Sequence, residues 1–286
     1  MLPMSGVVDE LRSLIRAVGG GLLIGAPLLF TQEVWAHAVT VPAWKIALLL
    51  GISFVIVGGY NALTGFRADA TVRDVLVDSV ESMGIGIVVA LGALFMLGRL
   101  DAASSLREVV GMVALEAIPI AFGAAVARAQ LSGAAEAEED RGGSETGPIG
   151  PFGRIFVTAG GALLFAMNVA PTEEPADIGA QAGPQLLLAM VAFSLLVTLG
   201  LVFFAEFGGR RHGGERLLER PWTETVVAYA VSLAVAFMLL WSFGRIDGAS
   251  LQATIGMTIA LGIVASLGGA IGRLLVAPGQ PREQPG

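Results

Sequence analysis

Eight apolar segments, each long enough to cross a lipid bilayer, dominate this sequence. Each is mostly apolar over roughly 18–25 residues, which as a helix spans the ~30 Å hydrocarbon core of a membrane. Inside lipid, every backbone N–H and C=O group needs a partner within its own segment, which selects helices. We therefore predict an all-α, polytopic transmembrane bundle of eight helices. The segments are residues 14–35, 45–66, 79–97, 108–127, 154–171, 185–207, 223–243 and 252–276.

The composition supports a chain that lies in a membrane. Hydrophobic residues make up 55% of the sequence and charged residues only 14%, whereas a soluble domain usually carries about 25% charged residues. The net charge of −7 is opposite in sign to the footprint that nucleic-acid binding requires. The predicted partner is therefore the lipid bilayer, and no nucleic-acid partner is expected.

No motif in the chain indicates catalysis or metal binding. The sequence has no cysteine, which excludes disulfides and thiolate sites. The motifs HExxH and GxSxG are absent. Both histidines, His37 and His212, are predicted to lie in loops, where they cannot form a buried metal pair. We therefore expect no catalytic residue, no metal site, no cofactor and no enzymatic activity.

The first apolar segment also has features of a cleavable signal peptide. Arg12 and Arg16 precede it, and the small-residue sequence Ala36-His37-Ala38 follows it. The length of the segment and its recurrence later in the chain favour a retained membrane helix. Cleavage stays the alternative.

The basic residues predict the orientation of the helices. If the loops alternate between the two sides of the membrane, one side receives only 4 of the 17 basic residues, Lys45, Arg99, Arg107 and Arg245. The other side receives the remaining 13. The positive-inside rule places this arginine-rich side in the cytoplasm. We expect a multi-pass protein of the cell inner membrane with both termini cytoplasmic.

An internal repeat predicts how the eight helices are organised. Residues 98–106 and 244–251 share a turn, read as GRLDAASSL and GRIDGASL, and Gly19-Gly20 recurs as Gly160-Gly161. Helices 1–4 thus correspond to helices 5–8. Because each half has an even number of helices, both halves enter the membrane in the same direction. We predict two parallel four-helix repeats related by a pseudo-twofold axis along the membrane normal.

The repeat also predicts the domain boundaries. The first four-helix repeat covers residues 1–128, and the second covers residues 154–276. The segment between them, 129–153, is rich in Gly, Pro and Glu, so it is predicted to be a disordered cytoplasmic linker. Residues 277–286 are predicted to be a disordered tail.

The repeated turn predicts local chemistry at two hairpins. Gly98 and Gly244 suit helix C-termini, since glycine tolerates left-handed backbone angles. Ser105 followed by Glu108 is typical of a capping box that opens a helix. The ion pairs expected across the two turns are Arg99–Asp101 and Arg245–Asp247.

Glu116 is the sharpest difference between the two halves, because its counterpart is Leu261. It lies about ten residues into the fourth helix, hence ~15 Å deep, near the predicted bilayer midplane. Ionisable groups at this depth usually face a bundle interior or a water-filled cavity. Low dielectric disfavours the charged form, so we expect a neutral carboxyl.

Pro119 follows Glu116 by three residues and also has no proline counterpart. Proline cannot donate to the carbonyl four residues earlier, here that of Leu115. A carboxylate beside a freed carbonyl is a plausible ligand pair for H⁺ or Na⁺. The simpler interpretation is one hydrogen bond from Glu116 and a bend at Pro119. Polar residues toward the outer ends of helices 1 and 5 extend the hypothetical ion pathway: Gln32, Glu33 and Asn168.

Two hypotheses of function fit these features. An ion-coupled transporter or channel for a small solute or cation fits the duplication, the interrupted helices and Glu116 at the midplane. A non-enzymatic membrane scaffold or regulatory partner needs only the packing surfaces and loops. The sequence is compatible with a homo-oligomer in either case.

Residues 16–35 carry a family resemblance and read RAVGGGLLIGAPLLFTQEVW. This segment and the pattern of spans are similar to those of a bacterial family of integral membrane proteins to which no activity is assigned. The resemblance implies a bacterial inner-membrane protein. It supplies no catalytic or ligand residue.

Overall fold

Ten helices form the protein over the residues that the computed structural model describes, namely 4–64, 71–139, 150–207 and 221–276. No strand occurs within those residues, so the all-α prediction is confirmed for them. The helices are α1 Met4–Leu29, α2 Gln32–Thr40, α3 Ala43–Thr64, α4 Val72–Met96, α5 Leu106–Glu139, α6 Pro151–Ala166, α7 Glu174–Gln181, α8 Pro184–Phe207, α9 Pro221–Ser242 and α10 Leu251–Val276.

Seven of these helices are long and apolar enough to cross a membrane. They are α1, α3, α4, α5, α8, α9 and α10. The fifth predicted segment, 154–171, instead holds α6, which has only 16 residues. The structure therefore gives seven candidate spans and one shorter apolar helix where the sequence predicted eight spans.

The first predicted segment, 14–35, is divided between α1 and the short helix α2. Pro27 lies in the last turn of α1, and the helix ends two residues later. The Thr31 hydroxyl donates to the Pro27 carbonyl at 2.6 Å, and the Thr31 N–H donates to the Leu28 carbonyl at 2.8 Å. These bonds satisfy carbonyl groups that the end of a helix leaves free.

The second break follows α6. Asn168 donates from Nδ2 to the Leu164 carbonyl at 2.8 Å, and the Thr172 hydroxyl donates to the Val169 carbonyl at 2.7 Å. The short helix α7 then begins at Glu174. In each half, one helix is followed by a short helix and then by three long helices. The first helix is long in the first half (α1) and has only 16 residues in the second half (α6).

Helices α5 and α10 are the centres of the two halves. In the first half α5 contacts α1, α2, α3 and α4, and in the second half α10 contacts α6, α7, α8 and α9. Of the residues in the α5 membrane window, 83% are buried, against 22% for α1. One apolar core joins the halves where α3 packs against α6, and it includes Phe122 and Leu163.

Glycines let the helices approach closely in both halves. In the first half, a Cβ added to Gly123 of α5 would lie 2.7 Å from the Gly20 carbonyl oxygen of α1. In the second half, Gly161 of α6 and Gly268 of α10 face each other in the same way, each against the other's carbonyl oxygen. Small residues of this kind allow backbone-to-backbone packing between membrane helices.

One end of the bundle gathers α2, α7 and the two hairpins, and we call it the α2/α7 end (residues 30–42, 97–107, 167–183 and 241–250). The two hairpin glycines have positive φ angles, 65° at Gly98 and 72° at Gly244, as predicted. The predicted capping box is present as well. The Ser105 N–H donates to the Glu108 carboxylate at 2.7 Å, and the Glu108 N–H donates to the Ser105 hydroxyl at 3.3 Å.

The ion pairs predicted across the hairpins are corrected by the structure. Arg245 pairs with Glu173 at 2.5 Å rather than with Asp247, which pairs with Lys45 at 3.1 Å. Arg99 lies over the Trp35 ring, 3.8 Å from its centre. The Asp101 carboxylate accepts from the Ser104 hydroxyl at 3.0 Å. Each hairpin arginine therefore contacts a neighbouring element and not the aspartate two residues later in the chain.

The predicted linker 129–153 is partly helical. Helix α5 continues to Glu139, and α6 begins at Pro151. Residues 140–149 of the linker, and the predicted tail 277–286, lie outside the described residues.

Candidate functional site

Glu116 lies near the middle of the membrane window of α5, Leu106–Ala129, which is the most buried of the candidate spans. Its side chain is 0% exposed. Neither carboxylate oxygen has a hydrogen-bond partner among the residues that the structure describes. A buried polar group without a partner forfeits its hydration without compensation, so this position needs an explanation beyond packing.

The neighbours of Glu116 on α5 contact three different elements. Ala117 faces α4, where a Cβ added to Gly86 would lie 2.6 Å from its carbonyl oxygen. Ile120 faces α1 and contacts Gly21 and Gly25. Leu115 belongs to the core that both halves share. The residues beside Glu116 therefore pack against α1 and α4 of the same half and into the core shared with the other half.

Helix α1 ends near the depth of Glu116. Gly20 of α1 lies against Ala127, and Gly25 lies against Ile120, so α1 and α5 run in opposite directions. Glu116 lies about one turn before Ile120, and α1 ends at Leu29, about one turn after Gly25. The break between α1 and α2 thus falls at the level of the carboxyl, in the middle of the membrane window of α5.

Pro119 and Leu115 lie on the same buried turns as Glu116. Helix α5 continues through Pro119 without a break, and both residues are buried. Because proline has no N–H, the Leu115 carbonyl lacks its usual helical donor. The structure therefore brings Glu116, Pro119 and Leu115 together in one stretch of α5.

The other predicted pathway residues lie at the α2/α7 end. Gln32 is exposed and Glu33 half-buried in the first turn of α2, and Asn168 is half-buried just after α6. The Oδ1 atom of Asn168 is buried and has no partner within the described residues. No hydrogen bond within the described part of the chain joins any of the three to Glu116.

A polar cluster that the sequence did not predict links the halves at the α2/α7 end. The Lys45 ammonium donates to the Trp241 carbonyl at 2.9 Å and pairs with Asp247. His37, which the sequence placed in a loop, lies in α2 and donates from Nε2 to the Pro171 carbonyl at 3.1 Å. Lys45 is the one lysine in the sequence and lies at the edge of an apolar segment, which is the signal that could have identified it.

The surroundings of His37 disfavour its charged form. Burial, followed by the nearby Arg245 guanidinium, lowers the pKa of His37 below its ordinary value of 6.5. The hydrogen bond to the Pro171 carbonyl, then Glu173 and Glu33, oppose this shift. Arg245 itself donates to the same Pro171 carbonyl. A protonated His37 would therefore place a second positive charge beside Arg245, since both side chains donate to the Pro171 carbonyl.

A second charged cluster lies near the opposite end of the second half. Glu224 is 5% exposed, and its carboxylate pairs with Arg154 at 2.6 Å and with Arg273. In the first half, the counterpart of Arg273 is Arg128, which pairs with Glu81 at 3.0 Å. These pairs join neighbouring helices, so we assign them to helix packing.

The described residues include no group of three or more His, Asp or Glu side chains arranged to hold a metal ion. His212 lies outside the described residues.

Comparison with known proteins identifies the family. The family described as "Putative integral membrane protein (DUF2391)" matches residues 13–276. Comparisons with curated proteins and with solved structures found no match. The match covers all ten helices except the start of α1, and it confirms the resemblance seen in residues 16–35. The chain belongs to this family of integral membrane proteins.

Proposed function

We propose that the protein is an ion-coupled transporter or channel for a small solute or cation, with Glu116 as its ion-binding carboxyl. The observation that carries this proposal is a fully buried carboxyl, near the centre of the most buried span, that has no hydrogen-bond partner among the described residues. Its counterpart in the other half is a buried leucine, Leu261. The fold therefore does not require a carboxyl at this position.

The surroundings of Glu116 supply further oxygen ligands. The Leu115 carbonyl is left without a helical donor by Pro119. The last carbonyl groups of α1 end near the same depth, and those of Pro27 and Leu28 also accept from Thr31. Carbonyls of interrupted helices, together with a carboxylate, are the ligands that ion-coupled transporters use for Na⁺ or H⁺. Either ion would neutralise the buried carboxylate, which offsets the cost of placing it in lipid.

We propose that the two halves descend from one duplicated four-crossing unit. Two helix contacts recur at matching positions, and both support this. Gly111 of α5 lies against Ala38 of α2, and Gly256 of α10 lies against Gly179 of α7. The contact between Gly20 and Gly123 likewise corresponds to that between Gly161 and Gly268. In this interpretation α1 with α2, and α6 with α7, are broken helices that each make one crossing.

The proposed orientation places the α2/α7 end outside an inner membrane and both termini in the cytoplasm. Thirteen of the 17 basic residues then lie toward the cytoplasm. Gln32, Glu33 and Asn168 would lie at the outer mouth of the pathway.

Ion access to Glu116 requires a movement, since the carboxyl is closed to solvent here. Helix α1 is the proposed moving element because its contacts with α5 are made by Gly20, Gly21 and Gly25, which present little side chain to interlock. The alternative function, a non-enzymatic scaffold, is favoured by the same closure, and it predicts no ion movement at all.

Ion flux into vesicles tests the proposal. The purified protein is reconstituted into liposomes, and H⁺ entry (pH-sensitive dye inside) and ²²Na⁺ entry are measured under a membrane potential. We expect the wild type to carry one of these ions and Glu116→Gln to lose at least tenfold in rate, because the amide cannot exchange a proton or neutralise Na⁺. Glu10→Gln, at an exposed position of α1, should leave the rate unchanged.

A second variant separates function from folding. Glu116→Leu copies the residue at the matching position of the other half. We expect it to abolish flux and to raise the free energy of unfolding by about 1–3 kcal/mol, because it removes a buried group without a partner. A wild type that carries neither ion, or a Glu116→Gln variant with unchanged flux, would exclude the proposed role.

A further inference from the structure

The contact between the two halves is made by different surfaces on each half. Helix α3 of the first half packs against α6 of the second, with α9 alongside. Gly59 of α3 lies against the Phe156 ring, and a Cβ added to Gly160 of α6 would lie 3.3 Å from Cγ2 of Ile56. The rings of Tyr60 and Phe122 are centred 5.3 Å apart beside this contact.

The same two surfaces continue at the α2/α7 end. His37 contacts the Phe243 ring, with centres 5.5 Å apart, as well as the Pro171 carbonyl. The Lys45 ammonium donates to the Trp241 carbonyl and forms an ion pair with Asp247. The first half therefore uses its α2/α3 face, and the second half uses its α6/α9 face.

The matching surfaces in the opposite halves are open. Residues 14–64 align with 155–205 at a constant offset of 141 positions, as from 59 to 200. Helix α4 and the hairpin after it align with α9 and its hairpin at an offset of 146, as from 98 to 244. Gly59 thus corresponds to Gly200, and Gly160 corresponds to Gly19. A Cβ at Gly200 or at Gly19 would meet nothing within 4 Å. Helix α8 packs mainly against α9 and α10, and α1 packs mainly against α5 and α4.

A closed twofold pair would make the contact twice, with α8 on α1 as α3 is on α6. Only one of the two contacts is substantial. The halves are therefore joined head-to-tail and not about the closed pseudo-twofold axis that the sequence predicted, and such a contact leaves one unused surface at each end of the pair. These surfaces are the α7/α8 face of the second half and the α1/α4 face of the first.

We propose that the α7/α8 face of one copy binds the α1/α4 face of a second copy, so that two chains close a ring of four halves. The inference rests on the duplication proposed above and not on ion transport. It repeats between chains the contact that α3 makes with α6 within the chain.

The residues that would meet are matched in character. The intrachain pair Gly59 and Phe156 becomes Gly200 and Ile15, and Ile15 is 62% exposed. The polar pair Lys45 and Trp241 becomes Leu186 and Phe95, both exposed and apolar. The pair His37 and Pro171 becomes Ile178 and Phe30, which are likewise exposed.

Glycine favours a protein partner over lipid at this surface. Lipid chains pack against any apolar side chain, so contact with lipid does not require a glycine at the helix surface. Gly19 and Gly200 instead allow a second helix backbone to approach, which is how membrane helices associate without a hydrophobic driving force. Both glycines lie at the positions where the intrachain contact uses glycine.

Cysteine cross-linking in native membranes tests the proposal, and the chain has no cysteine of its own. Ile15→Cys and Gly200→Cys are expressed as single variants with different tags, alone and together, and treated with a short thiol-specific cross-linker. We expect a linked dimer that carries both tags only when the two variants are present together. The double variant Gly59→Cys/Phe156→Cys should link within one chain and shows that the chemistry works at this kind of contact.

Leu14→Cys with Leu196→Cys is the matched control. These residues are exposed, but their counterparts Ile155 and Val55 stay exposed where α6 and α3 are packed together. They should therefore face lipid in the ring, and we expect no cross-link. The proposal is overturned if the Ile15 and Gly200 pair links no faster than this control, or if either single variant links to itself.

The wild-type chain provides a readout that needs no substitution. Native mass spectrometry of the protein released from native-lipid nanodiscs should give the mass of two chains. The mass of one chain would overturn the proposal. Neither experiment depends on ion flux, so a failure here and a failure of the transport proposal are distinguishable.

Discussion

At the scale of single residues, a carboxyl without a partner inside a membrane bundle is a cost that must be offset elsewhere. Burial of such a group costs about 1–3 kcal/mol in proteins, and Glu116 is fully buried. Its position could be predicted from the sequence because an acid within an apolar run is visible at once. The absence of a hydrogen-bond partner could not, since it depends on which helices surround α5.

His37 gives a residue-scale prediction about pH. Its pKa is lowered by burial and by Arg245, so the folded protein binds this proton more weakly than the unfolded chain does. The contribution of His37 to the free energy of unfolding is fully present above pH 6.5, the ordinary histidine value. It is lost as the pH falls from there through the lowered pKa of the folded protein. Charged groups facing the ring are Arg245, Glu173 and Glu33.

The measurement compares thermal unfolding midpoints in detergent at pH 7.5 and pH 5 for the wild type and His37→Gln. Glutamine keeps a donor for the Pro171 carbonyl but does not titrate. We expect a smaller fall in the midpoint for the variant than for the wild type. Equal falls would contradict the prediction, because they would mean that His37 binds its proton equally well in the folded and unfolded chain.

At the scale of elements, the apolar periods of the sequence locate the helices well but not their breaks. The predicted segment 14–35 crosses the gap between α1 and α2 because Thr31 and Gln32 are too few to interrupt an apolar run. The predicted segment 154–171 runs past the end of α6 at Ala166, because Asn168 alone does not interrupt the apolar run. Both breaks are made by hydrogen bonds from side chains to helix ends, and such local bonds do not change average hydropathy.

Close helix contacts give an element-scale prediction. Gly268→Ala and Gly123→Ala each place a methyl group against the backbone of α6 or α1. We expect each to lower the free energy of unfolding by about 1–3 kcal/mol, because overpacking forces the helices apart. Gly92→Ala, where the space is open, should not destabilise, since alanine favours helix more than glycine does.

Thermal unfolding in detergent, followed by loss of the monodisperse species on gel filtration, measures these three variants. Destabilisation by both core variants would support equivalent contacts in the two halves. If Gly268→Ala were as stable as Gly92→Ala, the contact between α6 and α10 would be looser than its geometry indicates.

At the scale of the whole molecule, the account depends on two halves that enter the membrane in the same direction. The order of the helices and the recurring glycine contacts support this arrangement. The repeat itself stays a prediction, made from short turn motifs that occur twice in the sequence. The sequence could not predict that the halves meet through different faces, since that depends on how α3 and α6 pack.

The most direct test labels single cysteines from either side of the membrane. Ser5→Cys, Asp140→Cys and Ala103→Cys report on the N-terminus, the segment between the halves, and the hairpin between α4 and α5. A membrane-impermeant thiol reagent is applied to sealed vesicles of known orientation. We predict that positions 5 and 140 react from the cytoplasmic side and position 103 from the opposite side. Labelling of positions 5 and 140 from opposite sides would contradict parallel halves and the site built on them.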